Sequence, residues 1–212
     1  MASGCFLVLE GPEGAGKTTL ASALVQRFRR AGLDPVVVRE PGGTPAAEAL
    51  RRELLDVDRD WTPEQELLYL VTARADLVSR VIAPALEAGR VVLSDRFDLS
   101  TRAYQGAGRG VDPAHLEWAN RSATGGLVPD LTLILDLPPG AGAERIRATG
   151  RAQNRLDRES AEFHERVAAR YRDEQGPGVV HIDATLPPDR LAEEAWRLVQ
   201  LARPDLFAGA HA

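Results

Sequence analysis

One eight-residue run constrains the fold of this chain more than any other: it reads GPEGAGKT and spans residues 11–18. It matches the pattern G-x-x-x-x-G-K-[ST] at every fixed position. The apolar run 5–9 precedes it, and a helical pattern over 17–31 follows. A glycine-rich turn between a strand and a helix lets backbone N–H groups converge on an anion at the positive end of the helix dipole. The run therefore predicts a phosphate-binding P-loop.

The side chains of this loop indicate which phosphates it binds. Lys17 can reach the β- and γ-phosphates of a nucleoside triphosphate, and the Thr18 hydroxyl can ligate Mg²⁺. Lys17 is also the only lysine among the 26 cationic residues, the rest being arginine. A plain glycine-rich turn, with a lysine there by chance, is the alternative. The predicted triphosphate-binding residues are Gly11, Gly14, Gly16, Lys17, Thr18 and Thr19.

The composition is that of one ordinary globular domain spanning residues 1–212. Cys5 has no second cysteine to pair with, and its apolar run ends at Glu10, too short for a signal peptide or a membrane span. The net charge of −5 argues against a nucleic-acid surface. We therefore expect a cytoplasmic enzyme or binding protein with no nucleic-acid or membrane partner.

Short β-branched runs alternate with longer helical patterns along the chain. The predicted strands cover residues 5–9, 35–38, 90–94, 131–137 and 178–182. The predicted helices cover residues 17–31, 45–55, 63–88, 113–124, 142–149, 158–174 and 190–203. This order predicts an α/β fold with a five-stranded parallel sheet and helices on both faces. Ligands should collect at the carboxyl ends of the strands, and the tail 204–212 should be frayed.

Two further strand ends carry polar residues. Asp95 and Arg96 follow the third strand, where the acid could hold Mg²⁺ through water. A surface salt bridge is the alternative interpretation. The second strand leads into the run REPGGT at 39–44, which is either a second substrate loop at the same sheet edge or a simple helix entry.

With REPGGT added to the P-loop, the chain resembles the bacterial-type thymidylate kinases. The similarity extends through DRF at 95–97, LST at 99–101, AYQG at 103–106 and GRG at 108–110. It continues in PDLT at 129–132 and IDAT at 182–185, so it covers nearly the whole chain. The resemblance implies transfer of the γ-phosphate of ATP to dTMP, with Mg²⁺, in a homodimer of the P-loop nucleoside monophosphate kinase fold.

The resemblance also implies roles for individual residues. Glu13 matches the P-loop acid that helps place the acceptor and the metal, and Arg51 and Arg96 match arginines near the acceptor phosphate. Arg39 belongs to the substrate loop. Arg74 matches the arginine that reads the thymine edge. The other matches are Thr101 and Gln105 near the base, Tyr104 under the deoxyribose, Arg155 in the lid, and the turn Asp183, Ala184 and Thr185 beside adenine. Thr18 and Asp95 would hold the metal.

Phosphoryl transfer needs positive charge around the transferred group, yet the variable P-loop positions 12–15 carry no cation. Arginines at 145, 147, 151, 155 and 158 could supply it. A solvated helical face is the alternative for such a run. Gly150 and Asn154 interrupt the helical pattern, which favours a short mobile lid over residues 142–160.

One residue departs from the family pattern. An aromatic ring usually lies four positions before the base-reading arginine and stacks on thymine, but here that position is Leu70. Tyr69 is its neighbour, but on a helix it points about 100° away. Base affinity or base choice could therefore differ from that of the family.

Three other functions remain open. A GTPase that reads guanine through an Asn-Lys-x-Asp loop would need a second lysine, which the chain lacks. A P-loop kinase for another nucleoside monophosphate or a deoxynucleoside would share most of these motifs. A non-catalytic, nucleotide-gated binding protein would bind ATP without turnover. Release of ADP with and without dTMP tests this last possibility, and the same assay across all nucleoside monophosphates is the most informative experiment.

Overall fold

The computed structural model describes residues 4–138, 140–150 and 153–207. Within them, five parallel strands form one sheet in the order β2-β3-β1-β4-β5. The strands are β1 (Cys5–Glu10), β2 (Val36–Arg39), β3 (Val91–Asp95), β4 (Leu131–Asp136) and β5 (Val179–Asp183). Every predicted strand is confirmed, because near-continuous apolar runs suit strands that are buried on both faces.

Helices connect the strands and cover the sheet. They are α1 (Lys17–Arg30), α2 (Pro45–Leu55), α3 (Pro63–Leu77), α4 (Ala83–Glu87), α5 (Asp98–Thr101), α6 (Pro113–Thr124), α7 (Ala141–Thr149), α8 (Ala161–Arg172) and α9 (Pro188–Ala202). Side-chain oxygens of Thr44, Thr62, Asp112 and Ser160 accept hydrogen bonds from free N–H groups at the starts of α2, α3, α6 and α8.

The two faces of the sheet bury separate clusters. Along β1, Cys5, Leu7 and Leu9 pack under α1 and α9, while Phe6 and Val8 face the other side. This alternation follows from the twofold side-chain period of a strand. The predicted arrangement, α/β with helices on both faces of the sheet, is confirmed.

The structure corrects two helix predictions. The single helix predicted over 63–88 contains a π-helical turn at Val78–Ile82 between α3 and α4. A helical region at 98–108, made of α5 and the π-helical turn Arg102–Gly108, was not predicted. Glycines at 106 and 108 lower its intrinsic helix propensity, so packing of Ala103 and Tyr104 against α8 residues stabilises it instead.

The expectation that the tail is frayed from Pro204 onward is wrong for Pro204–Phe207, which forms a 3-10 turn. The ring of Phe207 stacks on Phe28 at 6.5 Å and meets Trp196 edge-on at 5.2 Å. Apolar burial therefore fixes this turn. Residues 208–212 lie outside the described residues.

Candidate active site

The P-loop follows β1 and enters α1 at the carboxyl edge of the sheet. Gly11, Gly14 and Gly16 have φ values of 133°, 76° and 94°, a region that side-chain-bearing residues rarely adopt. Gly14 also lies against the start of α7, because a Cβ there would come within 2.3 Å of the Gly142 carbonyl oxygen. The glycines thus permit both the turn and its close backbone contact with α7.

Lys17 points back into this loop. Its ammonium donates hydrogen bonds to the carbonyl oxygens of Gly11 at 2.9 Å and Pro12 at 2.8 Å. Burial, reinforced by the charge of Arg96, lowers the pKa of Lys17 from 10.5 to about 8, while nearby acids including Glu13 oppose the shift. A phosphate would replace weak carbonyl acceptors with a full negative charge.

Thr18 and Asp95 meet beside the loop. The Thr18 hydroxyl donates a 2.9 Å hydrogen bond to Asp95 Oδ2, which joins the first turn of α1 to the end of β3. A hydroxyl and a carboxylate are hard oxygen ligands of the kind that Mg²⁺ takes beside substrate phosphates. Among the described residues no three His, Cys, Asp or Glu side chains cluster as a metal site. Thr19 is exposed one position further along α1.

Arg96 connects the P-loop to the rest of the site. It has a φ of 75°, the only positive value for a non-glycine residue in the described chain. Its Nη2 donates to Glu13 Oε1 at 2.7 Å and to the Tyr104 hydroxyl at 3.1 Å. Its Nη1 donates to the hydroxyls of Ser100 and Tyr171, both at 3.0 Å. Strained backbone of this kind is concentrated at functional sites.

A buried carboxylate, Glu10, holds two of the hydroxyl groups that contact Arg96. Glu10, at the end of β1, accepts hydrogen bonds from the Ser100 hydroxyl at 2.6 Å and the Tyr171 hydroxyl at 3.0 Å. It also accepts the backbone N–H of Phe97 at 2.8 Å. Glu10 thereby fixes the two hydroxyls that orient Arg96. Glu10 was not among the site residues predicted from the sequence, although an acid at the end of a buried strand was a usable signal.

A cavity opens beside Arg96, between α2, α3 and α5. All the predicted acceptor-site residues except Arg39 line it: Glu13, Arg51, Leu70, Arg74, Arg96, Thr101, Tyr104 and Gln105. The walls also include Leu55, Asn154 and Leu156. We refer to this space as the acceptor cavity. A second cavity of about 380 Å³ runs between α7 and α8 and shares Glu13 and Tyr104 with it.

Arg39 lies outside the acceptor cavity. It ends the edge strand β2, its side chain is half exposed, and it pairs with Glu48 at 3.1 Å. Arg51 lines the cavity and donates to the Pro41 carbonyl at 2.7 Å. Burial, followed by the charge of Arg39, lowers the pKa of Arg51.

Arg74 is buried in the wall of the cavity, with a side chain that is 2% exposed. Its Nη1 donates to Thr101 Oγ1 at 3.0 Å and to Asn120 Oδ1 at 2.6 Å. Its other nitrogens donate to Glu40 and the Phe97 carbonyl. Burial raises the pKa of Glu40 to about 6 despite the opposing charge of Arg74. A base in the cavity would therefore meet an arginine whose donors already have partners.

Leu70 lines the cavity one helical turn before Arg74, where a base could contact it. Tyr69 does not line the cavity. Its ring lies 4.4 Å from that of Trp61, whose indole donates to the Glu53 carbonyl. Tyr69 therefore packs within the α2–α3 connection.

The described part of the predicted lid contains helix α7 and the 3-10 turn Leu156–Arg158. Its first part is helix α7, which ends at Gly150 with a φ of 66°, as expected for a helix-ending glycine. Arg151 lies outside the described residues. Arg155 donates to the Leu54 carbonyl at 3.1 Å and pairs with Glu66, so in this conformation it lies beside α2 and α3 and not at the P-loop.

A different lid arginine lies near the phosphate loop. Arg145, on α7, donates to the Ala184 carbonyl at 3.0 Å and approaches the Gly14 carbonyl at 3.5 Å. Asp183 caps the same turn by accepting the Thr185 N–H at 2.8 Å. Arg145 thus bridges the P-loop and the loop after β5. Its place near the P-loop was not predicted from the sequence, since nothing local distinguishes Arg145 from Arg147.

Comparisons with known proteins identify the family to which this sequence is similar. A family model described as thymidylate kinase matches residues 9–195. The thymidylate kinase of Thermomicrobium roseum is 49% identical over 199 residues, which cover 92% of this chain and 93% of that protein. The thymidylate kinase of Deinococcus radiodurans is 43% identical over 202 residues, covering 94% and 98%. That of Desulfovibrio desulfuricans is 48% identical over 194 residues, covering 87% and 89%.

Among the described residues, no helix combines the length and apolar character needed to cross a bilayer.

Proposed function

The chain belongs to the thymidylate kinase family, and we propose that it transfers the γ-phosphate of ATP to dTMP. The observation that carries the proposal is the position of Arg96, which contacts both the P-loop and the acceptor cavity. It donates to the Gly11 carbonyl at 3.2 Å and to Glu13, which borders both cavities. A cation at this junction can stabilise the charge of a phosphoryl group in transit.

In the proposed reaction, an oxygen of the dTMP phosphate attacks the γ-phosphorus of ATP. The bond from that phosphorus to the β–γ bridging oxygen breaks, and the products are dTDP and ADP. Lys17 and the P-loop N–H groups would bind the donor phosphates. Thr18 and Asp95 would hold Mg²⁺, which neutralises phosphate charge when bound. Catalysis then consists mainly of positioning and charge stabilisation.

The acceptor cavity supports a deoxynucleotide as the acceptor. Tyr104 is buried at the cavity wall, and its hydroxyl is bound to Arg96, so its ring cannot easily move aside for a 2′-hydroxyl. Thr101 and Gln105 offer polar groups for a base edge, and Leu70 offers an apolar contact. The adenine of ATP would lie near Asp183, Ala184 and Thr185, beside Arg145. Arg155 remains a predicted arginine finger, and in this conformation it pairs with Glu66.

The decisive experiment measures ADP and nucleoside diphosphate together for each nucleoside monophosphate. We expect dTMP to be preferred over dUMP by a modest factor, since one methyl in an apolar pocket is worth about 1–3 kcal/mol. Purine monophosphates should be poorer still. Equal turnover of dGMP and dTMP would identify another monophosphate kinase. Phosphorylation of thymidine would identify a nucleoside kinase. Nucleotide binding without any ADP release would identify a non-catalytic protein.

We also propose a homodimer located in the cytoplasm, where nucleotide substrates are dissolved. Leu68 on α3 and Trp118 on α6 are 58% and 70% exposed, and the two helices pack on each other. Large apolar side chains exposed on adjoining helices are typical of an interface. Sedimentation should give twice the chain mass, and Trp118→Arg should shift it toward the monomer.

A further inference from the structure

Glu66 is a fully buried carboxylate in the first turns of α3. It accepts hydrogen bonds from three side chains, each of which is far from it in sequence. Gln105 donates to Oε1, while Arg109 and Arg155 donate to Oε2 at 3.2 and 2.5 Å. A buried carboxylate needs such compensation, because removing one charged partner leaves the other charge desolvated and unpaired.

Both arginines connect Glu66 to residues 153–160, the second part of the predicted lid over 142–160. We call residues 153–160 the lid segment. Arg155 belongs to it and is also tied through its backbone N–H to the Leu55 carbonyl at 3.3 Å. Arg109 reaches the other end of the segment, where its Nη2 pairs with Glu159 at 2.5 Å. One carboxylate therefore holds the lid segment at two points, directly and through Arg109.

The contacts of Glu66 extend to the acceptor cavity without entering it. Asn154 and Leu156, on either side of Arg155 in sequence, line the cavity, and so does Gln105. Glu66 itself does not line it. Gln105 and Arg155 both donate hydrogen bonds to Glu66. A ligand that shifts Gln105 would therefore also change the position of Arg155.

We propose that Glu66 is a positioning residue that holds the lid segment over the acceptor cavity and couples its closure to acceptor binding. This inference rests on the proposed kinase activity. A closed segment excludes water from the transferring phosphoryl group. With a neutral residue at position 66, Arg155 loses its counter-charge and the segment is released.

Release of the segment has a chemical signature. Water replaces dTMP as the nucleophile: its oxygen attacks the γ-phosphorus, the bond to the β–γ bridging oxygen breaks, and ADP, inorganic phosphate and a proton are formed. ADP then forms in excess over dTDP. The unfolded protein makes neither product, so a loss of folded protein leaves this product ratio unchanged.

The test compares Glu66→Gln with the matched control Glu64→Gln, an exposed position two residues earlier on the same helix. ADP, dTDP and inorganic phosphate are quantified together. We expect Glu66→Gln to form ADP well in excess of dTDP, with a raised KM for dTMP. A displaced group can lower kcat/KM by about 10²-fold. Glu64→Gln should keep ADP and dTDP equal. An equal ratio and an unchanged KM in folded Glu66→Gln would overturn the proposal.

Arg155→Gln tests the same proposal if Glu66→Gln does not fold, since it leaves Glu66 paired with Arg109. It should also uncouple ADP release from dTDP formation, and the double variant should be no worse than the worse single variant. A large loss of kcat with ADP and dTDP still formed in equal amounts would make Arg155 an arginine finger with no role in holding the lid segment. This result would refute the proposed role of Glu66. Absence of dTDP from the wild-type protein would instead refute the kinase activity.

Discussion

Two nitrogens of Arg74 share one carboxylate oxygen of Glu40: Nε lies 2.7 Å from Oε2, and Nη2 lies 2.6 Å from it. The remaining N–H groups of Arg74 point to Thr101, Asn120 and the Phe97 carbonyl. The residue therefore joins β2, α3, α5 and α6 around the acceptor cavity. Its contribution to stability is as testable as its contact with a base.

Replacing Arg74 with Met should cost about 3–5 kcal/mol of unfolding free energy, because Glu40 would remain buried without its counter-charge. The pKa of Glu40 is already raised to about 6 and would rise further without Arg74. In the variant Glu40 is protonated at a higher pH than in the wild type, so the deficit should shrink as the pH falls toward about 6 and level off below it, where the carboxyl is neutral in both proteins. Urea unfolding at about pH 5 and pH 8 measures the difference. Arg80→Met, on an exposed arginine that pairs with Asp76, is the control. A deficit below about 1 kcal/mol at pH 8 would contradict the prediction.

Lys17→Ala should lower kcat by about 10²–10³-fold, the usual cost of removing one preorganised donor to developing charge. The fold should survive, since the Lys17 ammonium contacts only loop carbonyls among its hydrogen-bond partners in the described structure. Arg30→Ala, at the far exposed end of the same helix, should be unaffected. A folded Lys17→Ala protein with near-normal kcat would rule out the P-loop assignment. Initial rates with circular dichroism spectra settle the matter.

Leu70→Phe should tighten dTMP binding by about fivefold, or about 1 kcal/mol, because a ring adds stacking beyond the burial that leucine already provides. Overpacking costs typically about 1–3 kcal/mol and would appear as a lowered melting temperature with weaker binding. Calorimetric titration beside a thermal melt distinguishes these results. Tyr69→Phe is the control, since that ring packs on Trp61. Unchanged binding and melting in Leu70→Phe would show that residue 70 does not contact the base.

His181 should make stability depend on pH. Burial lowers its pKa, but the Glu174 carbonyl and the Asp136 carboxylate on its two ring nitrogens outweigh this, and the net pKa is raised above 6.5. The stabilisation is fully present below the unfolded value of 6.5 and is lost as the pH rises through the folded value. The unfolding free energy of the wild type should exceed that of His181→Gln by the largest amount at about pH 6. This difference in unfolding free energy should be smaller at about pH 9. His115→Gln, at an exposed position on α6, should show no such trend. A difference in unfolding free energy that increases with pH would contradict the prediction.

The strands and the P-loop could be predicted from sequence because their signals are local. Buried parallel strands are continuous apolar runs, and the glycines of residues 11–16 supply the positive φ that the loop requires. The helical region 98–108 could not be predicted in this way. Its glycines oppose a helix, and contacts distant in sequence, such as the burial of Tyr104 against Phe163 and Tyr171, stabilise it.

The partners of the charged residues were the least predictable part of the site. The position of the Arg155 side chain depends on its ion pair with Glu66, which lies 89 residues away in sequence. Arg145 resembles Arg147 until the chain brings Ala184 beside it. The resemblance to a family indicated which positions line the acceptor cavity, but a match of motifs contains no information about ion pairing among 25 chemically identical guanidinium groups.

The isolation of Lys17 also gives the molecule a chemical handle. Every other cationic side chain is a guanidinium, so an amine-selective reagent has one side-chain target, and it lies inside the phosphate loop. With a pKa of about 8, this amine is partly unprotonated in mildly alkaline buffer, where an ordinary lysine is almost wholly charged. Covalent labelling of a single atom would therefore report occupancy of the nucleotide site, because a bound triphosphate both covers the amine and holds its proton.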